Sequence, residues 1–245
     1  MSKKRLSRRS VLASGTAVSS ALLLLRGAQG QTIYPNIPPD QNDRPSASDP
    51  LGGYLFFTLV EAAFIEAAVS RLIPKDELGP GALECGVAVF IDRQLAGPYG
   101  QGDHFYLKGP FPNGEPTQGW QMQNPAEVYR TAIAEINRFT MDAKGAAFSR
   151  LPVIDQDEIL KSLDAGTAKL KGGIESKAFF TLLLQNTMEG FFSDPLYGGN
   201  REMAGWKLIG FPGARYNNRP YVTRHGEPYP LPPVSLNGRP DWTRS

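Results

Sequence analysis

"TLVEAAFIEAAVSRLIP", Thr58 to Pro74, sets the fold class of this 245-residue chain. Thr58 followed three residues later by Glu61 has the form of a capping box, in which a hydroxyl and a carboxylate satisfy backbone N–H groups that a helix start leaves without partners. Val60, Phe64, Ala68 and Leu72 then recur every four residues, which is one apolar stripe of a helix. Pro74 has no N–H with which to continue it. Such a stripe is stable only when buried against other elements.

The neighbouring stretches supply them. "SKAFFTLLLQNTMEGFF", from Ser176, is apolar on nearly every side, which predicts a helix in the middle of a bundle, ending near Asp194 and Pro195. In "NPAE", Asn124 caps, Pro125 takes the first helical position and Glu127 completes a second box; Tyr129, Ile133 and Ile136 form the buried side. "DQDEILKSL", from Asp155, reads as a shorter helix with Ile159, Leu160 and Leu163 inward. Asp155, Asp157 and Glu158 are expected there as solvated acidic residues at a helix start. After "GPG", the residues Leu83, Val87, Phe90 and Ile91 share a face that Gly97 and Pro98 close. The sequence has no alternating strand pattern and no internal repeat. The expected fold is mainly α: a small bundle of about five helices, with long irregular loops and an extended, proline-rich C-terminal arm.

Two stretches break the periodicity. Residues 97–123 scatter glycine and proline among Tyr99, Phe105, Tyr106, Phe111 and Trp120, and a loop of that length in a compact domain is usually functional. From Phe211 onward seven prolines accompany Tyr216, Tyr221, Tyr229, Trp242 and several arginines. That segment cannot build its own core, and its aromatic and arginine content fits an arm laid on another surface. Between them lies "QNTMEGFFSDPLYGGNREMAGWKLIGFPG", Gln185 to Gly213. There glycines permit turns, and Phe191, Phe192, Tyr197, Trp206 and Phe211 offer large apolar area. Packing back on the last helix and contact with a partner are both compatible with its residues.

The N-terminus carries a different message. Lys3, Lys4, Arg5, Arg8 and Arg9 precede a modestly apolar run from Val11 to Leu25 and the small residues Ala28 and Gly30. The run falls short of the roughly 20 apolar residues that span a bilayer. The adjacent Arg8 and Arg9 in "SRRSVL" suggest export by the twin-arginine route, with cleavage after Gly30. The segments are then 1–30, a signal peptide; 31–50, a linker with five prolines; 51–213, the helical domain; and 214–245, the arm. Residues 1–30 hold six of the 26 Lys and Arg and none of the 24 Asp and Glu, so removing them leaves 20 against 24, a net −4. A basic nucleic-acid-binding surface is not expected of such a chain.

The residue inventory argues against a catalytic chain. His104 and His225 are the only histidines and stand far apart. No HExxH, paired-cysteine, CxxCH or GxSxG pattern occurs, and "GPYGQG", Gly97 to Gly102, reads as a flexible turn rather than a phosphate loop. No metal or cofactor is expected on this chain. Cys85, the single cysteine, falls about 200° from Leu83 and Val87 on a helical wheel. It is either a small buried thiol or, in an oxidising compartment, half of a disulfide to another subunit.

"EGFFSDPLYGGN" followed by "GWKLIGFPG", with "RLIPKDELGPGALECGVAVFIDRQLAGPYG" upstream, resembles the gluconate 2-dehydrogenase subunit 3 family over about Leu59 to Gly213. The resemblance implies a non-catalytic gamma subunit. Its partners would be a large FAD-binding dehydrogenase of the glucose-methanol-choline type and, in some complexes, a multihaem cytochrome c that passes electrons to membrane quinone. The subunit would lend its signal to a flavoprotein that folds around FAD in the cytoplasm, engage the twin-arginine translocase, and assist maturation. It would then reside in the periplasm, peripheral to the inner membrane through its partners. Tyr99, Phe105, Tyr106, Trp120, Asp194, Tyr197, Gly198, Gly199, Asn200 and Trp206 are the residues expected at the partner interface. A free-standing periplasmic binding or chaperone protein, and a secreted hydrolase or lyase with dispersed carboxylates, are the competing readings.

Overall fold

Thr58 and Glu61 form the expected capping box at the start of α1, Leu59–Leu72: the Glu61 carboxylate accepts from Thr58 N–H at 2.8 Å and the Thr58 hydroxyl from Glu61 N–H at 3.4 Å. In the computed structural model, which describes residues 53–103 and 123–238, six further α-helices follow and no β-strand occurs among the described residues. They are α2, Val87–Ala96; α3, Pro98–Gln101; α4, Pro125–Lys144; α5, Val153–Asp164; α6, Ser176–Phe192; and α7, Ala204–Ile209. The five long ones make the bundle.

The helix expected in the middle of the bundle, α6, keeps a solvent face, and α1 is the more completely buried of the two. Phe64, Ile65, Ala68, Val69 and Leu72 of α1 are wholly buried, and beyond Val60 no residue of the helix is exposed. It packs on α2, α4, α5 and α6. Its stripe starts one turn later than the spacing suggests, because Val60 is 65% exposed. α6 touches the other four long helices, α1, α2, α4 and α5, but Lys177, Thr181, Gln185 and Glu189 line a solvent face at four-residue spacing. Polar residues at that spacing outweigh a high average apolarity. The core continues through Phe64 against Phe148, ring centroids 4.8 Å apart, and Tyr129 against Phe179 at 5.5 Å.

Local differences from the sequence reading have local causes. Leu83 is partly exposed and precedes α2, which begins only at Val87 after Gly86 takes a left-handed conformation at φ 77°. Cys85 therefore lies outside the helix, the helical-wheel angle does not apply to it, and it is buried. "GPYGQG" forms the ordered turn α3 rather than a flexible loop. A β-carbon at Gly100 would fall within 1.9 Å of the Leu95 carbonyl oxygen, so only glycine lets this turn close against α2. Asp157 is not a solvated helix-start residue: it is buried and takes both Nε and Nη2 of Arg71, at 2.8 and 3.3 Å, tying α5 to α1. Asp155 and Glu158 both pair with Lys144 of α4.

The segment leading into α1 is held by one buried carboxylate. Asp92 of α2 accepts from the backbone N–H groups of Leu55, Phe56 and Phe57 at 2.7, 2.9 and 2.9 Å. Arg130 of α4 adds a hydrogen bond to the Phe56 carbonyl at 3.0 Å and lies over the Phe56 ring at 4.2 Å. One side chain that accepts from three successive backbone donors makes such a clamp specific.

Candidate functional site

The glycine-rich block after α6 folds back over the crossing of α2 and α6. A β-carbon at Gly190 would lie 2.8 Å from the Phe90 ring, one at Gly198 would lie 2.7 Å from an Arg93 nitrogen, and one at Gly199 would lie 2.2 Å from the Gly190 carbonyl oxygen. Gly190 thus marks the close crossing of α6 on α2, and Gly198 and Gly199 mark close approaches between the block and the bundle. Arg201 lies across Gly86, and its backbone N–H donates to the Cys85 carbonyl at 3.1 Å.

Polar side chains then fix the turns. Asn200, fully buried and left-handed at φ 44°, donates through Nδ2 to the Ser193 carbonyl at 2.7 Å and accepts from Gly205 N–H at 2.8 Å. The Trp206 indole donates to the Phe192 carbonyl at 2.7 Å and meets Phe211 edge to face at 5.2 Å. Asp194 is the third anchor. Its carboxylate accepts from Leu196 N–H at 2.9 Å, Ser235 Oγ at 2.6 Å and Leu236 N–H at 2.7 Å, which staples residues 235–236 of the arm to the turn that follows α6. Next to it Ala214 N–H donates to Val234 O at 2.7 Å and Val234 N–H to Pro212 O at 3.2 Å, with the Val234 side chain buried.

Between these anchors the arm makes a closed loop without an apolar core. Tyr221 and Tyr229 pack at 4.6 Å, Arg215 donates to the Pro232 carbonyl at 2.6 Å, and Arg224 lies 5.5 Å from the Tyr221 ring. An open groove of about 740 Å³ runs between Trp206–Pro212 on one side and Gly226–Pro233 on the other. Ile209, Phe211 and Leu231 expose apolar surface along it, and Tyr216 of the arm is 98% exposed.

Of the residues expected at a partner interface, Asp194, Gly198, Gly199, Asn200 and Trp206 are buried inside the chain, where their contacts are structural. Tyr197 is 46% exposed. Tyr99 is half-buried: its hydroxyl donates to Asn186 Oδ1 at 3.2 Å, while Asn186 Nδ2 donates to both the Tyr99 and Tyr129 hydroxyls, at 3.1 and 3.0 Å. Burial pushes the Tyr129 phenol well above its ordinary range, and burial also raises Tyr99, partly offset by the Asn186 hydrogen bond. Phe105, Tyr106, Trp120, Arg8 and Arg9 lie outside the described residues. Cys85 is buried, so a bridge to another subunit would require its surroundings to open. The anchoring side chains that sequence reasoning passed over are Asp92 and Asn186. A single carboxylate in "VAVFIDRQLA" and an amide in "LLLQNTM" are the available signals, each standing next to an apolar run but among other polar residues.

Among the described residues no three His, Cys, Asp or Glu side chains converge as a metal site would require, and no helix is long and apolar enough to cross a membrane. Residues 60–213 match the sequence profile of gluconate 2-dehydrogenase subunit 3. The chain belongs to that family. The match begins inside α1 and ends at Gly213, where the arm starts, so the subunit 3 profile covers the bundle and the glycine-rich block. No curated protein and no solved structure matches the chain.

Proposed function

We propose that this chain is the non-catalytic gamma subunit of an exported FAD-dependent dehydrogenase that oxidises a sugar, sugar acid or polyol. In this reading residues 1–30 supply the twin-arginine signal for a flavoprotein large subunit that has none, and the rest of the chain holds that subunit and assists its maturation. The observation that carries the reading is the subunit 3 match over residues 60–213. FAD sits on the large subunit, and haem c on a cytochrome subunit where one is present. The complex then works in the periplasm, at the inner-membrane surface.

The physical requirement is a grip that outlasts transport. A partner carried across a membrane in the folded state must stay bound throughout, which calls for an interface of about 2,000 Å² or more with an apolar centre. With Asp194, Asn200 and Trp206 turned inward, the contact surface in this chain is drawn instead from the exposed Tyr197, Ile209, Phe211 and the arm.

The test is to express the flavoprotein with the full chain, with Arg8 and Arg9 both replaced by lysine, and with residues 1–30 deleted, and to assay flavin-linked dehydrogenase activity in periplasmic fractions. Activity should reach the periplasm only with the intact signal. Equal export in all three strains would overturn the proposal.

A further inference from the structure

Charge is unevenly distributed along the mature chain. Among the described residues, 214–238 carry Arg215, Arg219 and Arg224 against Glu227, a net +2, whereas 53–103 and 123–213 carry 13 basic and 18 acidic residues, a net −5. Arg219 and Arg224 are exposed, on a loop pinned at both ends to an acidic body. A positive face of this kind selects a negative counterpart and speeds its encounter.

The loop is also preorganised. The Tyr221–Tyr229 contact, the Asp194 staple and the Arg215 hydrogen bond to Pro232 hold it in shape without a core beneath it. It presents Tyr216 and Val222 to solvent, and Ile209, Phe211 and Leu231 line the groove. Exposed aromatic and arginine side chains on an already ordered scaffold make efficient contact surface, because little conformational entropy is lost on binding. One donor is still unmet: Arg215 Nε is buried without a hydrogen-bond partner among the described residues. Its Nη2 donates to the Pro232 carbonyl and its guanidinium lies 5.6 Å from the Tyr229 ring, both residues of the groove wall.

We infer that the arm and its groove form the docking face for the flavoprotein subunit, and that the matching surface of that partner presents a carboxylate among apolar side chains. The inference rests on the reading given under Proposed function. The carboxylate meets the arginine face, and the apolar side chains fill the groove beside Phe211 and Leu231.

The experiment uses the native flavin-containing complex, captured through a tag on this chain, with wild type compared against Arg219→Glu/Arg224→Glu and against Tyr216→Ala. All three side chains are exposed, so melting temperature and far-ultraviolet circular dichroism of the free subunit should not change. Flavin recovered with wild type should fall as salt rises in the wash. The double charge reversal should slow association about tenfold and flatten that salt dependence. Tyr216→Ala should speed dissociation. If wild type captures the flavoprotein and the variants do so equally well with the same salt response, the inference fails while the functional reading stands. If wild type captures no flavoprotein, that reading fails and takes the inference with it. Arm-dependent sedimentation with phosphatidylglycerol vesicles, combined with unchanged flavin capture, would assign the arginine face to lipid and overturn the docking role.

Discussion

The bundle of residues 53–192 and the cover of residues 193–238 are stabilised by different physics. In the bundle, side chains such as Phe64, Ile65, Tyr129 and Leu163 lose contact with water and pack on one another. In the cover, only Trp206 and Val234 are large buried apolar side chains, and shape is kept by Asp194, Asn200 and the Trp206 indole bonding to backbone. Apolar burial is non-directional and tolerates redistribution, whereas a buried carboxylate or amide specifies individual partners. The cover can therefore hold one conformation with little core, at the cost of depending on a few residues.

The largest effect should come from the bundle. Phe64→Ala removes a fully buried ring packed on Phe148 and should destabilise the subunit by about 3–5 kcal/mol, measured by denaturant unfolding. A loss under about 1 kcal/mol would mean that α1 is not the centre of the core. Asp194→Ala tests the cover. It deprives Leu196 N–H, Ser235 Oγ and Leu236 N–H of their acceptor, a loss of about 1–3 kcal/mol if those groups stayed buried. The arm can instead swing out and hydrate them. Rapid proteolysis within residues 215–233, with the bundle melting almost unchanged, is the expected result. Melting of both regions together would show that they form one cooperative unit.

Alkaline titration separates the regions by another route. Tyr129 is fully buried, and burial raises its phenol above the unfolded value of about 10. The folded state then holds a proton that the unfolded state releases, so the stability from this group is complete below pH ~10 and is lost as pH rises toward the folded-state value. The slope is about 1.4 kcal/mol per pH unit for one such group. Tyr129→Phe should flatten that fall while costing some stability at neutral pH, since Asn186 loses one acceptor. An unaltered alkaline slope in the variant would place the titration elsewhere.

What the sequence disclosed divides along the same line. Capping boxes at Thr58 and Asn124, and apolar spacing in α4 and α5, mark the helices because each signal lies within four residues of its cause. Asp157 and Asp92 act across 86 residues to Arg71 and across 35 to 37 residues to the backbone at 55–57, distances over which no local pattern exists. The glycines of "DPLYGGN" were legible as turn formers, but that they mark contacts with Arg93 and the Gly190 carbonyl depends on the crossing of α2 and α6. The same limit applies to the expected interface: Asp194, Asn200 and Trp206 have the composition of a contact surface and are used inside the chain.

The smallest effect, and one of opposite sign, is expected where the cover stores strain. Asn200, Glu202 and Met203 all have positive φ, at 44°, 57° and 57°. Asn200 has a reason, since its side chain bonds across the turn to Ser193 and Gly205. Glu202 is exposed, and a left-handed conformation costs a residue with a β-carbon about 1–2 kcal/mol. Glu202→Gly removes that strain but enlarges the freedom of the unfolded chain, so the net gain should be near 0.5 kcal/mol. Asn200→Gly, which also accepts a left-handed backbone, should instead destabilise, because both side-chain bonds disappear. A stabilised Glu202 variant beside a destabilised Asn200 variant would separate strain that is merely endured from strain that a buried amide holds in place. Equal destabilisation would show that the Glu202 side chain has a contact of its own holding the turn.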